Sequence, residues 1–267
     1  MAEFITMERL SNGVELIRFN RPPYNALSAE LLGELADHVE ALAGDAREVH
    51  RPPGSHTPLK AVVVTGTEKA FAAGAEINQI QTDTDRLLDN FRRAYDGFAA
   101  IPRPVIAAVS GVALGGGLEA ALACDLRLAS ENARLGVPEI LLGVFPGAGG
   151  TQRLARVIGA SRAKEMIWSG RPLRAAEALA IGLVDRVVPV EGYLDAALEW
   201  AASLATGAVV AMGLSKWAVD GGLDGPLADG LDLERTLFGR VLATEDAATG
   251  IKSFLDNGPG KATFSGS

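Results

Sequence analysis

The sequence predicts an α/β fold, with buried parallel strands over residues 1–190 and a helical region over residues 191–267. Two continuous apolar runs, Ala61-Val62-Val63-Val64 and Val105-Ile106-Ala107-Ala108-Val109, are bounded by turn residues, the pattern of strands covered on both faces. A helical pattern over residues 84–100 separates them, and strand, helix, strand in that order implies right-handed parallel crossovers. From about Glu191 the apolar spacing becomes helical, over residues 193–204, 209–219 and 231–242.

The chain opens with strands over residues 4–10 and 14–19 around Asn12-Gly13, a pair that tolerates the positive φ of a hairpin turn. Ser28 is placed to cap a helix whose Leu31, Leu32, Leu35, Val39 and Leu42 share one face. Residues 47–58 hold three prolines, Gly54, His50, His56, Arg47 and Arg51, the composition of a solvated loop. There is no internal repeat, and the change near residue 190 is the one candidate boundary.

With 48% hydrophobic and 22% charged residues, the 267-residue chain can bury a large core. Its net charge of -8 argues against nucleic-acid or anionic-membrane partners, which need a positive field over much of one face, so an anionic ligand would need a local basic patch. The lone Cys124 cannot close an intramolecular disulfide, and no cysteine and histidine spacing offers a zinc or other metal site. The amino terminus reads as strand rather than leader, and no apolar stretch spans a membrane without interruption by charge. The expectation is a soluble cytoplasmic protein from a reducing compartment.

Candidate chemistry lies at two strand ends, Ala70-Phe71-Ala72-Ala73-Gly74-Ala75-Glu76 and Gly111-Val112-Ala113-Leu114-Gly115-Gly116-Gly117-Leu118-Glu119. Parallel sheets bind ligands at such ends. Small residues there either permit tight strand-to-helix turns or let a ligand touch backbone N–H groups at a helix start near Gly116, as an oxyanion hole requires. Glu119 and Glu139 are isolated charges in the apolar settings Leu118-Glu119-Ala120-Ala121 and Val137-Pro138-Glu139-Ile140-Leu141. Desolvation of such carboxylates moves their pKa values toward neutrality, which suits acid/base work, although Glu139 alone also fits a helix start or an ion pair. A third glycine-rich loop, Phe145-Pro146-Gly147-Ala148-Gly149-Gly150-Thr151, opens a further helix and is no P-loop, because no lysine follows its glycines. No serine sits in an elbow motif, Cys124 reads as buried, and His38, His50 and His56 read as surface residues. The pattern points to proton transfer by carboxylates beside an oxyanion hole. Consecutive glycines, rather than GxGxxG spacing, speak against a dinucleotide-binding oxidoreductase.

These residues resemble the crotonase, or enoyl-CoA hydratase/isomerase, family over nearly the whole chain. The resemblance is carried by Asn20-Arg21-Pro22 with Asn25-Ala26-Leu27, Phe71-Ala72-Ala73-Gly74-Ala75-Glu76, Gly115-Gly116-Gly117-Leu118-Glu119, Pro138-Glu139, Pro146-Gly147-Ala148-Gly149-Gly150-Thr151-Gln152-Arg153-Leu154 and Ala180-Ile181-Gly182-Leu183-Val184-Asp185. It implies a crotonase-like ββα spiral core followed by a helical oligomerisation region that builds homotrimers or, as a dimer of trimers, homohexamers. It places the oxyanion-hole amides on Ala73 and Gly116, the catalytic pair on Glu119 and Glu139, and a water-contacting amide on Gly147. Both glutamates together favour a hydratase of 2-enoyl-CoA; a double-bond isomerase or another crotonase-type CoA-thioester reaction, such as a hydrolase or lyase, and a non-catalytic RNA-binding relative are the alternatives.

Substrate-binding residues are then expected in Ala72, Ala75, Glu76 and Ile77. Arg21 and Lys69 are candidate phosphate contacts, and Lys261 with Phe264 would reach the nucleotide from a neighbouring subunit. No cofactor is expected beyond the coenzyme A of the acyl-CoA substrate, and no metal. The chain departs from the family pattern in its longer 47–58 connection, in Pro23-Tyr24 where some members carry a lysine, and in the Gly258-Pro259-Gly260 and Ser265-Gly266-Ser267 of its tail.

Overall fold

The computed structural model describes residues 4–46 and 58–267, so the 47–58 loop expected from composition lies, apart from Pro58, outside the described residues. β1 (Ile5–Arg9) and β2 (Val14–Phe19) form the antiparallel hairpin, with Gly13 at φ +85° in its turn. In α1 (Ala29–Asp45) the Leu31 N–H donates to Ser28 Oγ at 3.3 Å, and Leu31, Leu32, Leu35, Val39 and Leu42 are buried.

Three strand pairs follow. β3 (Ala61–Thr65) and β4 (Ala70–Ala72) lead into α2 (Ile77–Thr82) and α3 (Thr84–Ala100). β5 (Val105–Val109) and β6 (Val112–Leu114) lead into α4 (Gly116–Ala123). β7 (Leu126–Ser130) and β8 (Arg134–Gly136) lead into the 3-10 turn Pro138–Leu142, then α5 (Gly150–Ile158) and α6 (Ala160–Ser169). The chain closes with β9 (Leu173–Arg174), α7 (Ala175–Ala180), β10 (Arg186–Val188), α8 (Tyr193–Ala205), α9 (Val209–Gly222), α10 (Leu227–Val241) and α11 (Glu245–Asn257).

The first strand of each pair joins a six-stranded sheet of order β1-β2-β3-β5-β7-β10, and the second joins a four-stranded sheet of order β4-β6-β8-β9. Both sheets are parallel where successive units meet. Each ββα unit therefore advances one step along both sheets at once, which is the spiral that the resemblance implies.

The continuous apolar runs have a direct structural reason. Along β3 and β5, Val62, Val64, Val105, Ala107 and Val109 join the main core with α1, α3 and α4, while Ala61, Val63, Ile106 and Ala108 join a second core under α8. Alternate side chains of one strand point to opposite faces, so a strand covered on both faces cannot alternate apolar with polar. Burying each valine contributes about 1.5–3 kcal/mol.

The compositional change near residue 190 precedes α8, yet α8 packs on the sheet: Tyr193, Ala197, Ala201 and Ala205 belong to the second core, and the Tyr193 hydroxyl lies 3.3 Å from Thr65 Oγ1. The remaining helices are tied more loosely. Lys216 of α9 donates to the Phe98 and Ile101 carbonyls at 3.2 and 3.1 Å and pairs with Asp125 at 3.0 Å. Among the described residues, no single helix is long and apolar enough to cross a membrane.

Candidate active site

Because β4, β6 and β8 run parallel, their carboxyl ends fall on one edge of the small sheet, which places Ala73, Gly115-Gly116 and the turn bearing Glu139 side by side. Two of the glycines here are required by space. A Cβ on Gly117 would lie 2.0 Å from the Ala72 carbonyl oxygen, so α4 can sit on the end of β4 only without one. Gly115 has φ +52°, and a Cβ there would lie 2.8 Å from Glu139 Oε1. Glu139 thus lies directly over the start of α4.

Gly116 is the first residue of α4, and its N–H has no acceptor within the helix. It is free in direction to meet an anionic oxygen, at the positive end of the helix dipole. The Ala73 N–H, the other amide expected in the oxyanion hole, donates to the carbonyl oxygen of Tyr24 at 3.0 Å.

Every residue of α4 is buried, and Glu119 is 2% exposed. Its Oε1 accepts the N–H groups of Ala148 at 2.8 Å and Gly150 at 2.7 Å, supplied by the turn that opens α5. Burial pushes its pKa up to about 7; the negative charge of Glu139 adds to the rise, while the two amides and the Arg153 guanidinium oppose it. Glu139 is raised too, by burial, and its Oε2 is buried with no hydrogen-bond partner among the described residues. An orphaned carboxylate oxygen favours the protonated acid, whereas two amide donors favour the charged base. The two carboxyl groups therefore sit in unequal environments beside the start of α4, and burial raises the pKa of both.

The other residues singled out from the sequence divide. Ala72 is buried at the end of β4, Ala75 forms an isolated bridge with Leu27, and Ile77 at the start of α2 is 61% exposed. Arg21 and Glu76, both taken as substrate contacts, pair with each other at 2.7 Å, and Arg21 also donates to the Ala26 carbonyl at 2.8 Å. Lys69 is exposed in the turn before β4. Gly147 is exposed, one residue before the amides that hold Glu119. Lys261 and Phe264 lie on the tail beyond α11, with the Phe264 ring against Gly250 of that helix. Cys124 is buried and its thiol is pushed up to about 12 by burial, which removes it as a nucleophile. His38 is half-buried on α1.

The sequence does not single out Ala148, Gly150 or Tyr24 as working parts. For the first two a signal exists: successive small residues at a helix start form a nest of N–H groups. For Tyr24 there is none, because its carbonyl acts and its side chain does not.

A two-sheet spiral that brings a buried and a half-buried carboxyl group together at the helix-bearing end of its smaller sheet defines the class of fold to which the chain is to be compared. A family model described as enoyl-CoA hydratase/isomerase matches residues 9–265. The chain is 44% identical to a probable enoyl-CoA hydratase of Rhizobium meliloti, over 91% of each chain. It is 38% identical to a mitochondrial enoyl-CoA hydratase of Pongo abelii, over 95% of this chain and 86% of that one. A crystal structure of an enoyl-CoA hydratase from Bacillus anthracis superimposes with a TM-score of 0.89 at 35% identity, covering 99% of this chain and 100% of the other. The chain belongs to the enoyl-CoA hydratase/isomerase family and has the crotonase fold.

Proposed function

We propose that this protein is an enoyl-CoA hydratase, adding water across the 2,3 double bond of a 2-enoyl-CoA to give a 3-hydroxyacyl-CoA. The observation that carries the reading is the unequal environment of the two carboxyl groups: Glu119 held by two amides, Glu139 with a buried oxygen that lacks a partner. Hydration needs both roles at once, since a base must take a proton from water as it attacks C3 and an acid must supply one at C2. A double-bond shift needs one group that takes and returns a proton.

In the mechanism, the thioester carbonyl accepts the Gly116 N–H and the Ala73 N–H, the latter released from Tyr24. These donors stabilise the enolate-like charge that develops on the oxygen, where losing one typically costs ~3 kcal/mol of barrier. Glu119, ionised, holds and deprotonates the water; Glu139, protonated, delivers the proton to C2. Coenzyme A arrives with the substrate and leaves with the product, and no separate cofactor takes part. The test is incubation with crotonyl-CoA. Hydration bleaches the absorbance of the conjugated thioester, whereas a protein that leaves this absorbance unchanged and moves the double bond of a 3-enoyl-CoA is an isomerase.

A further inference from the structure

The two amides that hold Glu119 belong to the turn that opens α5, whose Gly149 carbonyl accepts the Gln152 and Arg153 N–H groups at 3.0 and 2.8 Å. Gly149, between them, has φ +102°, and the turn is followed by α5 rather than preceded by a strand. What braces it further is Arg153, one turn into α5. Its Nη1 donates to the Ala148 carbonyl at 3.3 Å, and its Nη2 bonds Asp96 of α3 at 2.8 Å. The guanidinium also passes so close to Gly149 that a Cβ there would lie 2.2 Å from Nη1. Backbone and guanidinium are fitted to each other, and the side chain is only 24% exposed.

We propose that Arg153 is a positioning residue for the reaction: anchored by Asp96, it clamps the Ala148 peptide so that the Ala148 and Gly150 amides stay aimed at Glu119 Oε1. This rests on the hydratase reading for its kinetic consequences, while the geometry of the clamp does not. A planar guanidinium can bridge a carboxylate and a carbonyl at fixed angles, which a lysine cannot reproduce with both contacts. The charged and titratable groups around Glu119 are few. Glu139 approaches from the 3-10 turn, and Arg153 from α5. Tyr95 of α3 donates its hydroxyl to the Gly116 carbonyl at 2.6 Å. Cys124 ends α4 as a buried thiol. Asp96 is shared with Arg92 at 3.7 Å, and Asp220 of α9 also feels the Arg153 charge. Arg153 thus acts on Glu119 as a cation, a smaller influence than the two amides, and braces the Ala148–Gly149 peptide that lies between those amides, so its loss weakens the support of the ionised base.

The experiment compares Arg153→Met, Arg153→Lys and Asp96→Asn with the wild type in full-length protein. Arg153→Met should lower kcat by about tenfold to 100-fold, the scale of a misplaced catalytic group, and leave KM within a few-fold. The acid limb of its kcat profile should move to higher pH, because an unsupported Glu119 keeps its proton longer. Arg153→Lys should recover part of the rate and of the limb, and Asp96→Asn should fall between. A Tm drop with kcat and limb unchanged would overturn the proposal and leave Arg153 a structural residue. An infrared titration of the Glu119 carboxyl, identified by subtracting the Glu119→Gln spectrum, reads the same shift without turnover. If the wild type hydrates nothing, the hydratase reading fails, and the infrared shift alone decides whether Arg153 supports Glu119; an unmoved titration rejects it.

Discussion

The Ala73 N–H donates to the Tyr24 carbonyl oxygen at 3.0 Å, so one of the two amides that should polarise a thioester already has an acceptor. That acceptor sits on the turn between β2 and α1, whose Asn25 side chain is buried and donates to the Ala70 and Phe71 carbonyls at 3.0 and 3.1 Å. The turn is therefore fixed to β4 by the side chain of Asn25, independently of the Tyr24 carbonyl. Exchanging one carbonyl acceptor for another need not unfold it.

Substrate binding should accordingly replace Tyr24 with the thioester oxygen at Ala73. In a Raman difference spectrum of a bound 2-enoyl-CoA, the thioester C=O stretch should move to lower frequency than in water, as two aligned donors draw charge onto the oxygen. A band at its solution frequency would mean that Ala73 stays with Tyr24 and that the oxyanion assignment is wrong.

Glu119→Gln and Glu139→Gln should each fold and assemble normally and lose activity by about 10²–10⁴-fold, the usual contribution of a positioned acid or base. The amide keeps an oxygen for the Ala148 and Gly150 donors but cannot exchange the proton. Hydration of crotonyl-CoA by the Glu119→Gln protein at near wild-type rate would end the paired-carboxyl mechanism.

The same substitution should change stability with a sign set by pH. Glu119 has its pKa raised from an ordinary 4.5 to about 7 in the fold, so the native state holds its proton more tightly than the unfolded chain. Wild-type stability from this group is present below 4.5 and is lost as pH rises toward 7, a loss on the order of 3 kcal/mol. Glutamine does not titrate. The Tm of Glu119→Gln should therefore gain on the wild type between pH 5 and pH 8, and parallel Tm curves would show that the native pKa is ordinary.

How much of this was legible in the sequence depended on which physical signal each part left. The buried strands β3 and β5 and the cap at Ser28 were readable because they rest on composition and local chemistry. The two glutamates stood out because each is an isolated charge in an apolar run of sequence. α11 left a mark of the same kind as α1, a Thr244 cap with Ile251, Phe254 and Leu255 at helical spacing, although all three are exposed. The pairing of Arg21 with Glu76 was hidden, since a cation in a sequence does not reveal which distant carboxylate it meets. The Ala148 and Gly150 clamp and the Tyr24 carbonyl are backbone functions, which side-chain identity records only through the small residues that permit them.

The exposed apolar residues of the last helices lead to a prediction about assembly. Val219, Leu227, Phe238, Ile251 and Leu255 are all more than half exposed. So much apolar surface on neighbouring helices marks an interaction site, and the family resemblance suggests trimers or hexamers. Light scattering at micromolar concentration should give a mass several times 27.8 kDa, and Leu227→Glu with Phe238→Glu should lower it while the circular dichroism of the folded chain persists. A wild-type monomer would reject the expectation.

The tail beyond α11 is held by a buried acid. Asp246, 3% exposed in the first turn of α11, accepts the Ser265 N–H at 2.8 Å, the Ser265 hydroxyl at 3.1 Å and the Gly266 N–H at 2.9 Å, which folds the segment carrying Lys261 and Phe264 back along the helix. Ser265 and Gly266 therefore latch the end of the tail to α11, with the exposed Lys261 between the helix and the latch. With a net charge of -8 the protein repels a polyphosphate ligand unless local cations line its path. Truncation after Asp256 should raise KM more than it lowers kcat, because contacts to the remote nucleotide act about equally in the ground and transition states. The KM effects of Lys69→Ala and Lys261→Ala should shrink as salt rises, since exposed charges are screened over about 10 Å near 0.1 M ionic strength. If the truncated protein remains oligomeric and its KM for crotonyl-CoA at low salt is unchanged, the latch serves α11 alone and coenzyme A is bound elsewhere.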